Sequence, residues 1–308
     1  MRIVLHGRCG VMTLLAVSAV LVGSCAGRSG TDGADSSPGG AKVVASTTVW
    51  ADVVSNVGCG EVDVATLVPA GVDSHSYELS VRDADELSGA ALVVTNGLGL
   101  EIGLSETIDS VVGADTAVLE LGPLLQPIED GGEPDPHVWM DPDRVADAVP
   151  SIAGALIEAD TGVGADRIEE CSRDYVAELR TLSAELTETF DRMDPSLRNL
   201  VTDHAALGYL AQRYGLRVVG SVVESTNPLA EASARDMDEL AATMDQLGID
   251  RVLGEAGEAG EAAAALSERL GVKVVAVGLH TESIGSPGSG ADSYVGMMRA
   301  NGRLIAEQ

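Results

Sequence analysis

The stretch DRIEECSRDYVAELRTLSAELTETFDRM, residues 166–193, divides the chain into two halves of similar design. It contains neither glycine nor proline, and apolar side chains recur along it at helical spacing, namely Ile168, Tyr175, Leu179, Leu182, Leu186 and Phe190. A helix of this length is well above the usual ~11–12 residues. The stretch therefore predicts a rigid connector between two lobes, and a long helix packed on one sheet is the alternative.

On both sides of this helix, short β-branched runs alternate with helical patterns. Strands are predicted at 42–48, 61–69, 91–97, 114–121, 198–203, 216–223, 251–256 and 272–278. Helices are predicted at 50–57, 143–158, 205–214, 230–247, 258–270 and 294–306. The pattern predicts the α/β class, with two βα lobes joined by one long rigid helix. The predicted boundaries are an N-terminal lobe at 42–165, a connecting helix at 166–194 and a C-terminal lobe at 195–308.

The first 24 residues have the character of an export signal. Two arginines precede the apolar run VMTLLAVSAVLV, which is too short for a comfortable membrane span. The run ends in small residues before Cys25, as in a bacterial lipobox, so residues 1–24 are predicted to be removed and Cys25 to be lipidated. An ordinary signal peptide with an incidental cysteine is the alternative. Residues 25–41, rich in Gly, Ser, Ala and Asp, predict a flexible tether that holds an extracytoplasmic protein at the cell membrane.

Charge limits the possible partners of the chain. The formal net charge is −29 in 308 residues, and loss of the signal makes it more negative still. Nucleic acid is therefore excluded as an expected partner, since binding to phosphate requires positive charge. A strongly negative field favours the approach of cations. Simple solubility, or adaptation to salt, would produce the same composition.

Two cysteines, Cys59 and Cys171, remain in the mature chain after Cys9 is removed and Cys25 takes its lipid. An exported protein folds in an oxidising compartment, where an even pair of cysteines favours a disulfide. Two unrelated buried thiols are the alternative.

The mature chain has four histidines, His75, His137, His204 and His280, each at or near the end of a predicted strand or in a loop before a helix. In open α/β sheets ligands bind at that edge. Imidazole suits zinc and similar transition metals. Any one of them alone would more often be a surface residue or a hydrogen-bond donor than a ligand. Four at equivalent positions, too far apart in sequence for a local zinc finger, predict a site assembled from distant loops around a cleft between the lobes.

The loop DPHVWMDP, residues 135–142, holds His137 between prolines, so neither a helix nor a central strand can run through it. Such stiffness suits a metal ligand, which must keep a fixed geometry. Trp139 is expected to pack beneath the loop. Asp141 is expected to cap the helix that follows, or to orient an imidazole.

Together these motifs resemble a known family. VPAGVDSHSYELS (68–80), DPHVWMDP (135–142), VTDHAALGYLAQRYGL (201–216), VVGSVVESTNPLAEASARDMDEL (218–240) and TESIGSPGSGADSYVGMMRANGRLI (281–305) are similar to the zinc/manganese solute-binding lipoproteins of bacterial ABC importers. The resemblance covers nearly all of the chain from Lys42, in motif order. It implies two α/β lobes joined by a long helix, with the metal buried between them.

The resemblance also implies a ligand set and partners. Position by position, His75, His137 and His204 match the histidine ligands of the family. Glu282 matches the fourth ligand, although the family more often has aspartate there, and His280 nearby is the alternative. The implied partners are an ABC permease and its cytoplasmic ATPase, and the chain is expected to be a monomer.

For the cargo the resemblance implies Zn²⁺, because manganese binders of the family more often have a carboxylate at the position of His204. Manganese is the alternative, since QPIEDGGEPDP (126–136) lacks the His-rich loop of many zinc members.

An enzyme is not expected. A secreted zinc hydrolase, with water as the fourth ligand, is the alternative from another class. The sequence shows neither HExxH nor a Ser or Cys constellation that indicates a nucleophile. An adhesin role, sometimes attributed to the family, is not tested by any feature of the sequence.

Overall fold

The computed structural model describes residues 41–113, 116–130, 132–223, 233–256 and 259–307. The predicted signal peptide, Cys25 and almost all of the predicted tether lie outside the described residues, as does the start of the helix predicted at 230–247. Within the described ranges no helix is both long enough and apolar enough to cross a membrane.

The N-terminal half contains a four-stranded parallel sheet in the order β2-β1-β3-β4. Its strands are β1 (Val43–Ala45), β2 (Val64–Thr66), β3 (Leu92–Thr95) and β4 (Ala117–Glu120), and its helices are α1 (Thr48–Val57), α2 (Val81–Ser88) and α3 (Ile102–Val111). The predicted strand 42–48 is too long, because the Thr47 side chain accepts a hydrogen bond from Trp50 N and starts α1 there. The sequence prediction missed α2, although Ser80 and Asp83 form a capping box at its start.

The middle of the chain is mainly helical. It contains a short antiparallel pair, β5 (Glu129–Asp130) and β6 (Glu133–Pro134), followed by a 3₁₀ turn (Val138–Met140), α4 (Pro142–Glu158) and α5 (Ala165–Asp191). The predicted long helix is confirmed as α5, which has 27 residues. It packs against α1 and α4 from the N-terminal half and against the last helix of the chain.

The C-terminal half repeats the design with a second parallel sheet in the order β10-β9-β7-β8. Its strands are β7 (Asn199–Thr202), β8 (Arg217–Ser221), β9 (Arg251–Glu255) and β10 (Val275–Leu279), and its helices are α6 (Gly208–Tyr214), α7 (Ala234–Leu247), α8 (Ala259–Leu270) and α9 (Tyr294–Glu307). The predicted α/β class is confirmed, with the strands of both sheets near their predicted positions.

One apolar cluster runs through both halves of the molecule. It includes Val43 of β1, Trp139 of the loop before α4, Leu179 of α5, Leu253 of β9 and Met298 of α9. All five side chains are almost fully buried. The two sheets are therefore linked by shared packing as well as by the backbone of α5.

A disulfide joins Cys59, at the end of α1, to Cys171 in α5, as the sequence predicts. It closes a loop with a sequence separation of 112 residues. Replacing both cysteines with serine is expected to lower the free energy of unfolding by about 3–5 kcal/mol, because the cross-link restricts the unfolded chain. Urea unfolding of the variant beside the parent measures the effect, and thiol counting on the unreduced, unfolded parent must find neither thiol free.

Candidate metal centre

The structure brings four of the five candidate ligands together, three of them in loops that follow strands of the two parallel sheets. His75 follows β2, His137 lies directly before the 3₁₀ turn at Val138, His204 follows β7 and Glu282 follows β10. Their exposed fractions are 4%, 0%, 2% and 7%. A solvated surface role is therefore excluded for all four side chains.

The three imidazoles converge on one carboxylate oxygen of Glu282. Glu282 Oε1 lies 3.3 Å from His137 Nε2, 3.4 Å from His204 Nε2 and 3.9 Å from His75 Nε2. Zinc bonds of about 2.0–2.1 Å place neighbouring ligand atoms of a tetrahedron roughly 3.3–3.4 Å apart. Two of the three distances match that edge closely, and the contact with His75 is slightly wider.

The converging atoms lack other partners. Among the described residues, Glu282 Oε1 and the three Nε2 atoms are buried without a hydrogen bond. A buried polar atom without a partner costs about 1–3 kcal/mol. Four such atoms facing one another indicate a site built for a ligand that satisfies all of them at once, and a divalent cation does so.

Aspartates behind the imidazoles fix two of the rings. Asp135 Oδ1 lies 2.8 Å from His137 Nδ1 and accepts a hydrogen bond from His137 N. In the same way, Asp203 Oδ1 lies 2.9 Å from His204 Nδ1 and accepts a hydrogen bond from His204 N. In a neutral imidazole, a proton on Nδ1 leaves the lone pair of Nε2 free to bind a metal. Sequence reasoning missed this role of both aspartates, although each stands within two residues of its histidine.

Glu282 is fixed through its second oxygen and its backbone. Ser74 Oγ donates a hydrogen bond to Glu282 Oε2 over 2.7 Å, and Glu282 N donates to Glu255 Oε2 over 3.1 Å. The same Glu255 oxygen accepts from Thr281 N at 2.7 Å. Only Oε1 is therefore left to face the imidazoles.

The charges of the metal-free site follow from this arrangement. Burial lowers the pKa of His75 to about 4, despite the nearby Glu282 carboxylate. Burial alone would also lower the pKa of His204, but Asp203 and Glu282 raise it to about 10. Burial would raise the pKa of Glu282, but contacts with His137 and His204 hold it well below its ordinary value. A Glu282 carboxylate that faces a cationic His204 imidazole is a charge pattern that a divalent cation can replace.

The remaining candidate, His280, lies apart from this cluster. Its backbone N donates to Asn301 Oδ1 over 2.9 Å, and its backbone oxygen accepts from Asn301 Nδ2 over 2.8 Å, so a side chain in the middle of α9 holds its main chain. The ligand atoms of His75, His137 and Glu282 lie within 4.8 Å of one another. The geometry favours Glu282 over His280 as the fourth ligand.

Buried contacts hold the loop around His137 in place. Trp139 is 1% exposed and lies edge-on to the His137 ring, with 5.3 Å between the ring centroids. Its Nε1 donates to Thr281 O over 2.9 Å, which ties this loop to the residue before Glu282. Asp141 caps α4 by accepting from Asp143 N over 2.9 Å.

Gly254 of β9 provides the space that Asp203 needs. A Cβ atom at this position would lie 1.9 Å from Asp203 Oδ2. Gly254→Ala is therefore expected to displace Asp203 and weaken zinc binding by about 10–100-fold, the usual cost of losing support for a ligand histidine. Competition with a chromophoric chelator measures the affinity. Gly154→Ala is the control, since a Cβ atom there has open space, and equal affinities in the two variants would contradict the prediction.

Comparison with known proteins places this geometry among metal-binding proteins. Residues 43–308 match the family model described as zinc-uptake complex component A, periplasmic. The zinc-binding protein TroA of Treponema pallidum is 31% identical over 269 residues, which cover 84% of this chain and 85% of TroA. The manganese-binding lipoprotein MntA of Halalkalibacterium halodurans is 27% identical over 264 residues, which cover 85% of this chain and 86% of MntA.

Solved structures of metal-binding proteins also resemble this chain. The periplasmic zinc-binding protein TroA from Treponema pallidum superposes with a TM-score of 0.80 at 29% identity, over 87% of this chain and 98% of that one. The Mn-bound periplasmic metal-binding protein from Candidatus Liberibacter asiaticus has a TM-score of 0.74 at 26% identity, over 87% of this chain and 98% of that one.

Proposed function

Since the chain belongs to the family of periplasmic zinc-uptake component A proteins, we propose that it captures Zn²⁺ outside the cytoplasm and delivers it to an ABC-type importer. The proposed ligands are His75, His137, His204 and Glu282. The observation that carries the proposal is the convergence of three buried Nε2 atoms on Glu282 Oε1 at 3.3–3.9 Å, with no hydrogen bond to any of them from the described part of the chain.

The same site supports capture rather than catalysis. A catalytic zinc keeps one coordination position for water or substrate. Here a fourth protein ligand fills that position, and its carboxylate is braced by Ser74. The proposed activity is therefore binding and release, with no chemical change to the cargo.

The experiment that tests this function compares binding with turnover. Protein purified without added metal and stripped with a chelator should take up a single zinc ion per chain at equilibrium. The loaded protein should hydrolyse neither ester nor peptide substrates above the rate of the stripped protein. Zinc-dependent hydrolysis would favour the secreted hydrolase, and failure to take up zinc or manganese would end the proposal.

The proposed partners are a membrane permease and a cytoplasmic ATPase, since capture outside the cell requires a route inward. The chain would act as a monomer, with lobes at 42–165 and 195–308 on either side of the connecting segment 166–194. Support for this division comes from the two separate sheets and from α5 between them in the chain.

We also propose that a lipid on Cys25 anchors the protein to the cell membrane. Cys25→Ala is expected to release the protein into the medium or to slow processing, because a removable signal followed by a polar tether offers no other membrane attachment. Fractionation of cells and medium measures the outcome. The lipobox interpretation would be wrong if the variant stayed as firmly in the membrane fraction as the parent.

A further inference from the structure

Tyr209 connects two ligand loops that belong to different halves of the chain. It lies on α6, which follows His204, and its side chain is 1% exposed. Its hydroxyl nevertheless bonds to the loop that carries His137. The hydroxyl donates to Asp135 O over 2.6 Å and accepts from Ile128 N over 3.1 Å.

This contact reaches His137 through Asp135. The Asp135 side chain lies 2.8 Å from His137 Nδ1, so any displacement of the Asp135 backbone tilts the imidazole. The next carbonyl in the chain, Pro136 O, accepts from Asn96 Nδ2 over 2.9 Å. Two successive carbonyls before His137 therefore accept hydrogen bonds from different halves of the chain, Asp135 O from Tyr209 and Pro136 O from Asn96.

The residue before Tyr209 completes the support. A Cβ atom on Gly208 would lie 2.8 Å from Asp135 Oδ2 and 3.2 Å from Ile128 Cδ1. Asp135 thus rests its side chain against Gly208 while its main chain bonds to Tyr209. Because α6 also follows directly from the His204 loop, it links the orientation of one imidazole to the position of the other.

We propose that Tyr209 is a positioning residue for the metal, one that sets the orientation of His137 from the helix that follows His204. The inference rests on the proposed function. Without the hydroxyl, the buried Asp135 carbonyl loses its donor and the Asp135–His137 unit is free to shift. Metal ligands need near-fixed geometry, so the loss acts on affinity even though Tyr209 does not touch the metal.

The test compares two identical substitutions on one helix. Tyr209→Phe removes the hydroxyl but keeps the ring under Arg144, whose guanidinium lies 4.8 Å from the ring centroid. Tyr214→Phe is the matched control, since that buried ring packs on Phe190 of α5 with 5.0 Å between centroids. Zinc affinity by chelator competition should fall by roughly 10-fold or more in Tyr209→Phe and stay unchanged in Tyr214→Phe.

Two further readouts separate positioning from a general loss of stability. The visible absorption spectrum of the Co²⁺-loaded protein reports ligand geometry, and it should change in Tyr209→Phe alone. The effects of Tyr209→Phe and Asp135→Asn on affinity should combine to less than their sum, because both act through the same imidazole. A normal spectrum with unchanged affinity, or strictly additive effects, would overturn the inference while leaving the proposed function standing.

Gly208→Ala provides a second variant. Alanine has a higher helix propensity than glycine, so this substitution does not by itself weaken α6. Zinc affinity should fall in this variant and remain unchanged in Gly260→Ala, where a Cβ atom meets nothing within 4 Å. Equal affinities in the two glycine variants would count against the inference. If the parent protein itself bound no metal, the proposed function would fail, and this inference with it.

Discussion

Alanine in place of His75, His137 or His204 is expected to weaken zinc binding by orders of magnitude while leaving the metal-free fold intact. Each substitution removes one of the four proposed ligand atoms, which converge at 3.3–3.9 Å. The three remaining ligands would have to accept water in the vacated position. Losing a direct ligand should cost more than the about 10–100-fold that follows from losing support behind one.

The metal-free fold should tolerate these changes for a physical reason. The Nε2 atoms of all three histidines are buried without a hydrogen bond among the described residues. Alanine removes that unsatisfied atom. At His137 and His204 it also removes the ring Nδ1 that faces Asp135 or Asp203, but each carboxylate keeps its hydrogen bond from the backbone N of the substituted residue. The apolar cluster that links the sheets does not include the imidazoles. Thermal unfolding of the metal-stripped variants beside the parent checks this expectation.

His280→Ala is the matched control, because it removes a histidine two residues before Glu282 and leaves all four converging atoms in place. Its zinc affinity should stay near that of the parent, and Glu282→Ala should lose far more. The reverse ranking would transfer the role of fourth ligand to His280. Chelator competition on all five variants under one set of conditions gives the ranking directly.

Much of this architecture could be predicted from sequence because it depends on local patterns. The stripe from Ile168 to Phe190 predicts α5, and apolar runs such as 91–97 predict buried parallel strands such as β3. His75, His137 and His204 were found because histidine is rare in this chain and each lies near the end of a strand or before a helix, whereas Glu282 was assigned from the family resemblance. Such signals are carried by the residues themselves.

The parts that were missed depend on contacts between distant segments. Nothing in the local sequence shows that Tyr209 bonds to Asp135, or that Gly254 leaves room for Asp203. The choice between Glu282 and His280 likewise required the fold. These two residues differ by only two positions, yet only the Glu282 side chain reaches the three imidazoles. The helices α2 and α3 were missed because they are short, with 8 and 10 residues and mixed apolar spacing.

Growth of a strain that lacks this protein is expected to fail under zinc chelation and to recover when zinc, but not manganese alone, is added. The argument depends on the ligand atoms. Three imidazole nitrogens and one carboxylate oxygen suit Zn²⁺, whereas the harder Mn²⁺ favours oxygen ligands and higher coordination numbers. Ser74 occupies Glu282 Oε2, which leaves a single carboxylate oxygen to face the metal and favours four-coordinate binding.

Affinity in the test tube is a poor measure of this preference, because nearly any site of nitrogen and oxygen ligands holds zinc more tightly than manganese. The genetic experiment avoids that bias by asking which metal the cell lacks when the protein is gone. Complementation with the parent gene should restore growth on low zinc, and the His204→Ala variant should not. If manganese alone restored growth of the deletion strain, the cargo would be manganese. The three imidazoles would then contribute to the affinity for a metal without selecting zinc over manganese, and the metal bound would depend on which one the environment supplies.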